Sequence, residues 1–147
     1  SGPFLVNAGG DLYAYGRPDN GQGWCVDIEH PLEPRRHIAT VRLDCQAMAT
    51  SSVTKRRWSK AGAVQHHLID PRTGRPANTD AISVTIVAAR TALAEIYAKA
   101  VLLLGVEAGL DFLRNTPGVE GLICTDRRKV VYTENFAAQM TAFEGID

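Results

Sequence analysis

The hydrophobic rhythm of the chain changes once, near residue 88, and no other feature narrows the choice of fold as far. Upstream, short apolar stretches are separated by turn residues. They run Phe4 to Asn7, Leu12 to Tyr15 after the Gly9-Gly10 break, Trp24 to Ile28 after Asn20-Gly21, Ile38 to Leu43, Val64 to Ile69 and Ile82 to Val87. Short runs of this kind mark strands, and the first three predict an antiparallel meander. Downstream, Leu93, Ile96, Tyr97, Ala100, Val101 and Leu104 recur at the spacing of one helix face, and Gly105 sits where that helix should stop. A shorter helix with Val106, Leu110 and Leu113 on one side is broken by Pro117-Gly118. Gly121 to Cys124 and Val130 to Tyr132 then predict a closing hairpin across the charged turn Asp126 to Lys129. Strands in runs, two helices and strands again predict an α+β fold, an antiparallel sheet with two helices packed on one face, with residues 1–147 as a single domain.

Charge and cysteine usage exclude several functions. The 16 basic and 16 acidic side chains cancel, so no long-range field draws the chain to nucleic acid or an anionic membrane. The basic cluster Lys55, Arg56 and Arg57 beside Trp58 is too short to reverse this and reads as a solvated hairpin edge. Three widely spaced cysteines, Cys25, Cys45 and Cys124, match neither a disulfide framework nor a paired CxxC zinc site, and are expected as small buried hydrophobes. The longest apolar run, Ala100 to Leu104, is far below the ~20 residues that span a bilayer, which predicts a soluble domain with no membrane span. Ser-Gly-Pro leads directly into Phe4-Leu5-Val6, a strand already under way, so the chain is expected to be a piece of something longer.

Three segments can carry chemistry. At Asn7-Ala8-Gly9-Gly10-Asp11, two adjacent glycines remove every Cβ, so a phosphate or a flavin edge can approach the backbone N–H groups; a plain Gly-Gly hairpin fits the same residues. The densest polar stretch runs His66-His67-Leu68-Ile69-Asp70-Pro71-Arg72-Thr73-Gly74-Arg75-Pro76. Period-2 alternation there places His66 with Val64 and Leu68, and His67 with Gln65 and Ile69, so only one imidazole can face a given site. Asp70-Pro71 opens a turn that Gly74 closes, bringing an imidazole, a carboxylate, the Thr73 hydroxyl and two guanidinium groups to one loop. An imidazole passes protons at neutral pH and Arg chelates phosphate oxygens, although a rigid hairpin with surface arginines and one packed histidine has the same spacing. The third segment, Ala49-Thr50-Ser51-Ser52, puts small hydroxyl residues directly after a strand, where they either line a ligand channel or cap a turn.

These segments, in this order, resemble the C-terminal half of ApbE-type FAD:protein FMN transferases. The resemblance is carried by Asn7-Ala8-Gly9-Gly10-Asp11, Trp24 to Pro31, Ala49-Thr50-Ser51, His67-Leu68-Ile69-Asp70-Pro71-Arg72-Thr73-Gly74-Arg75-Pro76 and Ser83-Val84-Thr85-Ile86. It implies a T-fold-like α+β domain, FAD as donor substrate, Mg²⁺ as cofactor, and a Thr or Ser of an acceptor flavoprotein subunit receiving FMN with release of AMP. It further implies a catalytic role for His67, and a cofactor-binding role for Asn7, Gly9, Gly10, Asp11, Thr50, Ser51, His67, Leu68, Asp70 and Thr73. Family members often stand at the outer face of the bacterial cytoplasmic membrane, held by a lipid signal that would lie upstream of Ser1.

Two departures stand out. Where the family's Ala-Asp-Ala-Leu-x-Thr-Ala pattern holds Mg²⁺ through its Asp and Thr, this chain has Ala94-Glu95-Ile96-Tyr97-Ala98-Lys99-Ala100. Glu95 still suits a hard cation, whereas Lys99 offers three donors and no acceptor. Either the ammonium takes the metal's position and contacts the pyrophosphate directly, or the site is dead as a metal site. The family's N-terminal half is also missing, so another chain or the absent half is expected to complete the FAD pocket. The alternatives to transfer are a non-catalytic flavin-binding or assembly module with a degenerate metal site, and hydrolysis of FAD with water as acceptor.

Overall fold

A computed structural model of the chain describes residues 2–18, 21–55, 57–60 and 62–146. The turn residue Asn20, the basic Arg56 and the side chain of Val64 lie outside the described residues. The strands are β1 (Phe4–Ala8), β2 (Asp11–Tyr15), β3 (Trp24–Glu29), β4 (His37–Leu43), β5 (Gln46–Ser52), β6 (Arg57–Lys60), β7 (Ala63–His66), β8 (Ile69–Asp70), β9 (Arg75–Pro76) and β10 (Ala81–Ala88). After them come α1 (Thr91–Leu104), α2 (Val106–Arg114), β11 (Glu120–Thr125), β12 (Val130–Tyr132), α3 (Glu134–Gln139) and β13 (Met140–Phe143).

A six-stranded antiparallel sheet in the order β1-β2-β5-β10-β11-β12 forms the middle layer. Successive side chains of a strand point to opposite faces, and here both faces are covered. Ala47 and Ala49 of β5, Val84, Ile86 and Ala88 of β10 and Ile123 of β11 face the helices, where Ala94, Ala98, Val101, Leu102 and Leu113 are buried. Leu12, Met48, Val87, Leu122 and Cys124 face the other way, onto Ile28, Ile38, Val41 and Leu43 of a three-stranded sheet, β13-β4-β3, and onto Phe136 of α3. The α+β class and the two helices on one sheet face agree with the sequence reading. The opening meander does not: β1 and β2 pair, but β3 leaves to join β4 in the second sheet. The second face of the main sheet is apolar, and the β3-β4 pair is what covers it.

The buried face of α1 is turned away from the one its large residues define, since Ile96 and Leu104 are exposed while Ala94, Ala98, Val101 and Leu102 are fully buried. Alanines on the helix meet Ala47 and Ala49 on the sheet, so contact at short range takes precedence over burial of the largest side chains. Leu93 and Tyr97 flank that contact, with the Tyr97 ring 5.5 Å from Phe112 of α2. Gly109 lets α2 close on α1, because a Cβ there would stand 2.8 Å from Val101 Cγ1 and 3.2 Å from the Val101 carbonyl. The cysteines divide. Cys124 is buried, and that burial pushes its thiol up to about 12, whereas Cys25 and Cys45 are exposed, contrary to the sequence expectation. Both lie where a single apolar face no longer dictates direction, Cys25 on the outer side of β3 and Cys45 in the turn between β4 and β5. Among the described residues, no helix is long and apolar enough to cross a membrane.

Phe136 is the largest of the fully buried side chains and fills the core between the two sheets. Phe136→Ala is expected to lower unfolding free energy by about 3–5 kcal/mol, read as a reduced urea midpoint at unchanged m-value.

Candidate functional site

An open cleft of about 470 Å³ lies where the β1-β2 turn, β3, β5, β10 and the first half of α1 meet. Asn7, Gly9, Gly10, Asp11, Thr50, Ser51, His67, Glu95 and Lys99 all line it. The chain thus gathers on one surface residues that lie up to some ninety positions apart in the sequence.

The β1-β2 turn is built by its own side chain. Asn7 Oδ1 accepts the Gly10 N–H at 2.9 Å, and Gly9 and Gly10 take φ of 72° and 108°. An added Cβ at either glycine would meet no atom within 4 Å, so backbone angle rather than crowding calls for glycine there. The space left open belongs to the cleft.

β5 contributes the floor. Its small hydroxyl residues are not a turn cap but the end of a central strand, paired with β10 through Thr50 opposite Thr85 and Ser51 opposite Val84. Thr50 and Thr85 exchange a hydroxyl hydrogen bond of 2.8 Å, and Ser52 donates to the Ile82 carbonyl at 3.1 Å. Ser51 and Ser52 are buried, and Ser83 of β10 joins them at the cleft. A polar residue within a largely apolar strand was the signal available for Ser83.

The polar hairpin sends one imidazole each way, as the alternation requires. His67 lines the cleft, while His66 is buried and its Nε2–H donates to the Ala77 carbonyl at 2.9 Å. Leu68 is buried in the helix-side core and does not line the cleft. Asp70 and Thr73 also lie away from it, bordering a separate depression with Arg75, Pro76 and Asn78. Their work in the fold is local. Asp70 Oδ1 accepts the Arg72 N–H at 2.9 Å, its carboxylate receives the Arg72 guanidinium at 2.8–3.2 Å, and its carbonyl accepts Thr73 and Gly74 N–H. Arg72 then reaches the Leu103 carbonyl at 3.3 Å, Thr79 Oγ1 donates to the Leu102 carbonyl at 2.8 Å, and Asp80 Oδ1 accepts the Val106 N–H at 2.9 Å. The hairpin and the segment after it satisfy the last carbonyls of α1 and the first N–H of α2. Arg72 is therefore spent on the helix end rather than on a phosphate.

On α1, Glu95 and Lys99 stand one turn apart in the cleft wall, and the Lys99 ammonium donates to Glu95 Oε1. At the rim, Lys55 pairs with Glu29 at 2.5 Å, a partnership between the segment after β5 and the second sheet that no local pattern announces. Mg²⁺ is usually held through one or two carboxylates with waters and substrate phosphates, and among the described residues no group of three His, Cys, Asp or Glu is placed to hold a metal by itself. With Glu95 already neutralised by an ammonium, the side chains of this chain do not fit Mg²⁺.

This layered α+β architecture is shared with solved structures of flavin transferases. It superposes on the ApbE protein of Thermotoga maritima with a TM-score of 0.84 at 26% identity, over 95% of this chain and 45% of that one. Against the apo flavinyl transferase ApbE of Pseudomonas stutzeri the TM-score is 0.75 at 28% identity, over 97% and 45%. A protein of Treponema pallidum named FAD:protein FMN transferase is 38% identical over 136 residues, which is 84% of this chain and 37% of that protein. One of the same name from Escherichia coli is 30% identical over 112 residues, or 76% and 32%. The ApbE family model matches residues 2–123, and the chain belongs to the ApbE family. It spans about a third of the length of these two curated relatives, 37% and 32%.

The Asp70–Arg72 contact carries a pH signature. Hydrogen bonds from the Arg72 side chain and backbone, with its charge, hold the Asp70 carboxyl below the ordinary value of 3.8. A depressed folded pKa adds stability that is present above the unfolded value and lost as pH falls through the folded one. Urea midpoints at pH 5 and pH 2.5 should therefore differ less in Asp70→Asn than in the unmodified protein. Some acid dependence should persist, because Arg17 lowers Asp44 in the same direction.

Proposed function

We propose that the protein carrying this chain is a transferase that moves FMN from FAD onto a Thr or Ser hydroxyl of a target flavoprotein and releases AMP. The observation that supports this most directly is the meeting of His67, the Gly9-Gly10 turn and the Thr50-Ser51 floor in one cleft of an ApbE-family chain. In this reading the acceptor hydroxyl approaches the FMN phosphorus of the bound dinucleotide. His67 takes the hydroxyl proton as the new P–O bond forms, the P–O bond to the bridging oxygen breaks, and AMP leaves with that oxygen. The open glycine turn admits the ligand close to the main chain, and the β5 hydroxyls donate to phosphate oxygens. Asn7 shapes the turn and Asp11 closes it, whereas Leu68, Asp70 and Thr73 serve the site by fixing the hairpin from which His67 projects. The cleft is open, and the remaining length found in relatives, or a second chain, supplies the rest of the enclosure around FAD.

The Glu95–Lys99 pair favours a second reading, a flavin-binding or assembly module that has ceased to transfer. Incubation of the full-length protein with FAD and a Thr-containing acceptor peptide separates the two. The transferase yields a peptide heavier by one FMN-phosphoryl group together with AMP; FAD bound and recovered intact supports the module, and AMP without adduct indicates hydrolysis. In the transferase, His67→Ala is expected to lower kcat by about 10²–10⁴-fold with a much smaller change in KM for FAD.

A further inference from the structure

Ser51 and Lys99 both line the cleft where α1 lies on the sheet. By the alternation of β5, Ser51 shares the face of Ala47 and Ala49 on which α1 lies, and Lys99 follows Ala98 on the side of α1 that borders the cleft. A Glu and a Lys at i and i+4 also pair on ordinary solvent-facing helices, where they do no more than support the helix. Here the pair forms part of the cleft wall, with Lys99 and Glu95 side chains 43% and 34% exposed, each partly covered by the site. An ammonium has three donors, and Glu95 takes one. The others are left for acceptors in the cleft. A dication brought into the same space would stand against that ammonium and compete with it for Glu95.

Resting on the flavin-transferase reading, we infer that Lys99 itself provides the positive charge for the pyrophosphate of the dinucleotide, so that this site holds its substrate without a divalent metal. Glu95 is then a positioning residue. It fixes the ammonium through one of its three donors, so that the site presents a directed donor rather than a mobile cation. Charge-assisted hydrogen bonds from an ammonium to phosphate oxygens are short and strong, and the Ser51 hydroxyl adds a neutral donor on the same side. Asp11 and Asp27 also border the cleft, on β2 and β3, which locates the anion at the α1 end, against Lys99 and Ser51, and leaves the other end for uncharged parts of the ligand.

Calorimetric titration of the full-length protein with inorganic pyrophosphate, in EDTA and again with Mg²⁺, tests this. The unmodified protein should bind in EDTA and gain nothing from Mg²⁺. Lys99→Met should weaken binding by about ten- to a hundredfold, and Lys99→Arg should retain most of it. Lys99→Thr, which restores a neutral oxygen one turn from Glu95, should bind poorly in EDTA and recover with Mg²⁺. Thermal unfolding of each variant separates loss of charge from loss of fold, and the Arg variant keeps the comparison usable should the Met variant unfold. Binding by the unmodified protein only in Mg²⁺, binding in neither condition, or Lys99→Met binding as well as the parent would each overturn the inference. The two readings fail separately. Adduct formation that requires Mg²⁺ would sink the metal-free site and leave the transferase, whereas metal-free pyrophosphate binding with neither adduct nor AMP would do the reverse.

Discussion

Everything at the cleft depends on how closely α1 lies on the central sheet. Ala94 and Ala98 share one buried cluster with Ala47 and Ala49, each bearing only a methyl, and all four are fully buried. A helix held off by larger residues would carry Glu95 and Lys99 away from the β5 floor, and the wall of the cleft would open. Close packing of small residues sacrifices apolar area, since each alanine buries far less surface than a leucine. The deficit is made up at the flanks, where Leu93, Tyr97, Val101 and Leu102 close over the contact. Geometry at the site is thus maintained by the least conspicuous residues of the helix.

The polar hairpin acts at one remove. Of its many functional groups only His67 reaches the cleft, and the others hold it there. Asp70 orders the turn and binds Arg72; Arg72, Thr79 and Asp80 engage the junction of α1 and α2; His66 ties the strand before the turn to Ala77 after it. An arginine close to the last turn of a helix satisfies carbonyls that have no intrahelical partner and complements the negative end of the helix dipole. The same hairpin that presents the imidazole therefore anchors the helix that presents the ammonium. Two walls of one cleft share a single mechanical support, so a disturbance of Asp70 should be felt at Lys99 as well as at His67.

The parts of this arrangement that were legible in the sequence are those governed by local rules. The change of period at residue 88 marks the passage from strands to helices, Gly105 ends α1, and alternation decides which of His66 and His67 can face a ligand. Gly9-Gly10 announced its turn because positive φ is needed there. What escaped is non-local. β5 has a poor strand composition, Gln-Ala-Met-Ala-Thr-Ser-Ser, and becomes central because its small side chains fit between α1 and the second sheet. The departure of β3 into a second sheet answers a demand from the far face of the main sheet. The true buried face of α1 could not be found by ranking hydrophobicity, since proximity selected alanine over isoleucine. Lys55 and Glu29 meet only because two sheets bring them together.

Two ion pairs stand in the cleft before any ligand arrives, Lys99 with Glu95 along one helix and Lys55 with Glu29 across the two sheets. Each pair is partly exposed, so neither contributes much to stability by itself. Their consequence is orientation. A free lysine on a four-carbon stem samples many rotamers, and fixing it on binding costs about 2 kcal/mol of side-chain entropy. A lysine already held by a carboxylate one helical turn away has lost most of that freedom during folding. An incoming phosphate then meets a donor whose direction is set, in a wall whose depth is set by alanine packing. Electrostatics and packing are in this sense one device: the methyl groups fix where α1 lies, and the ion pair fixes where its charge points.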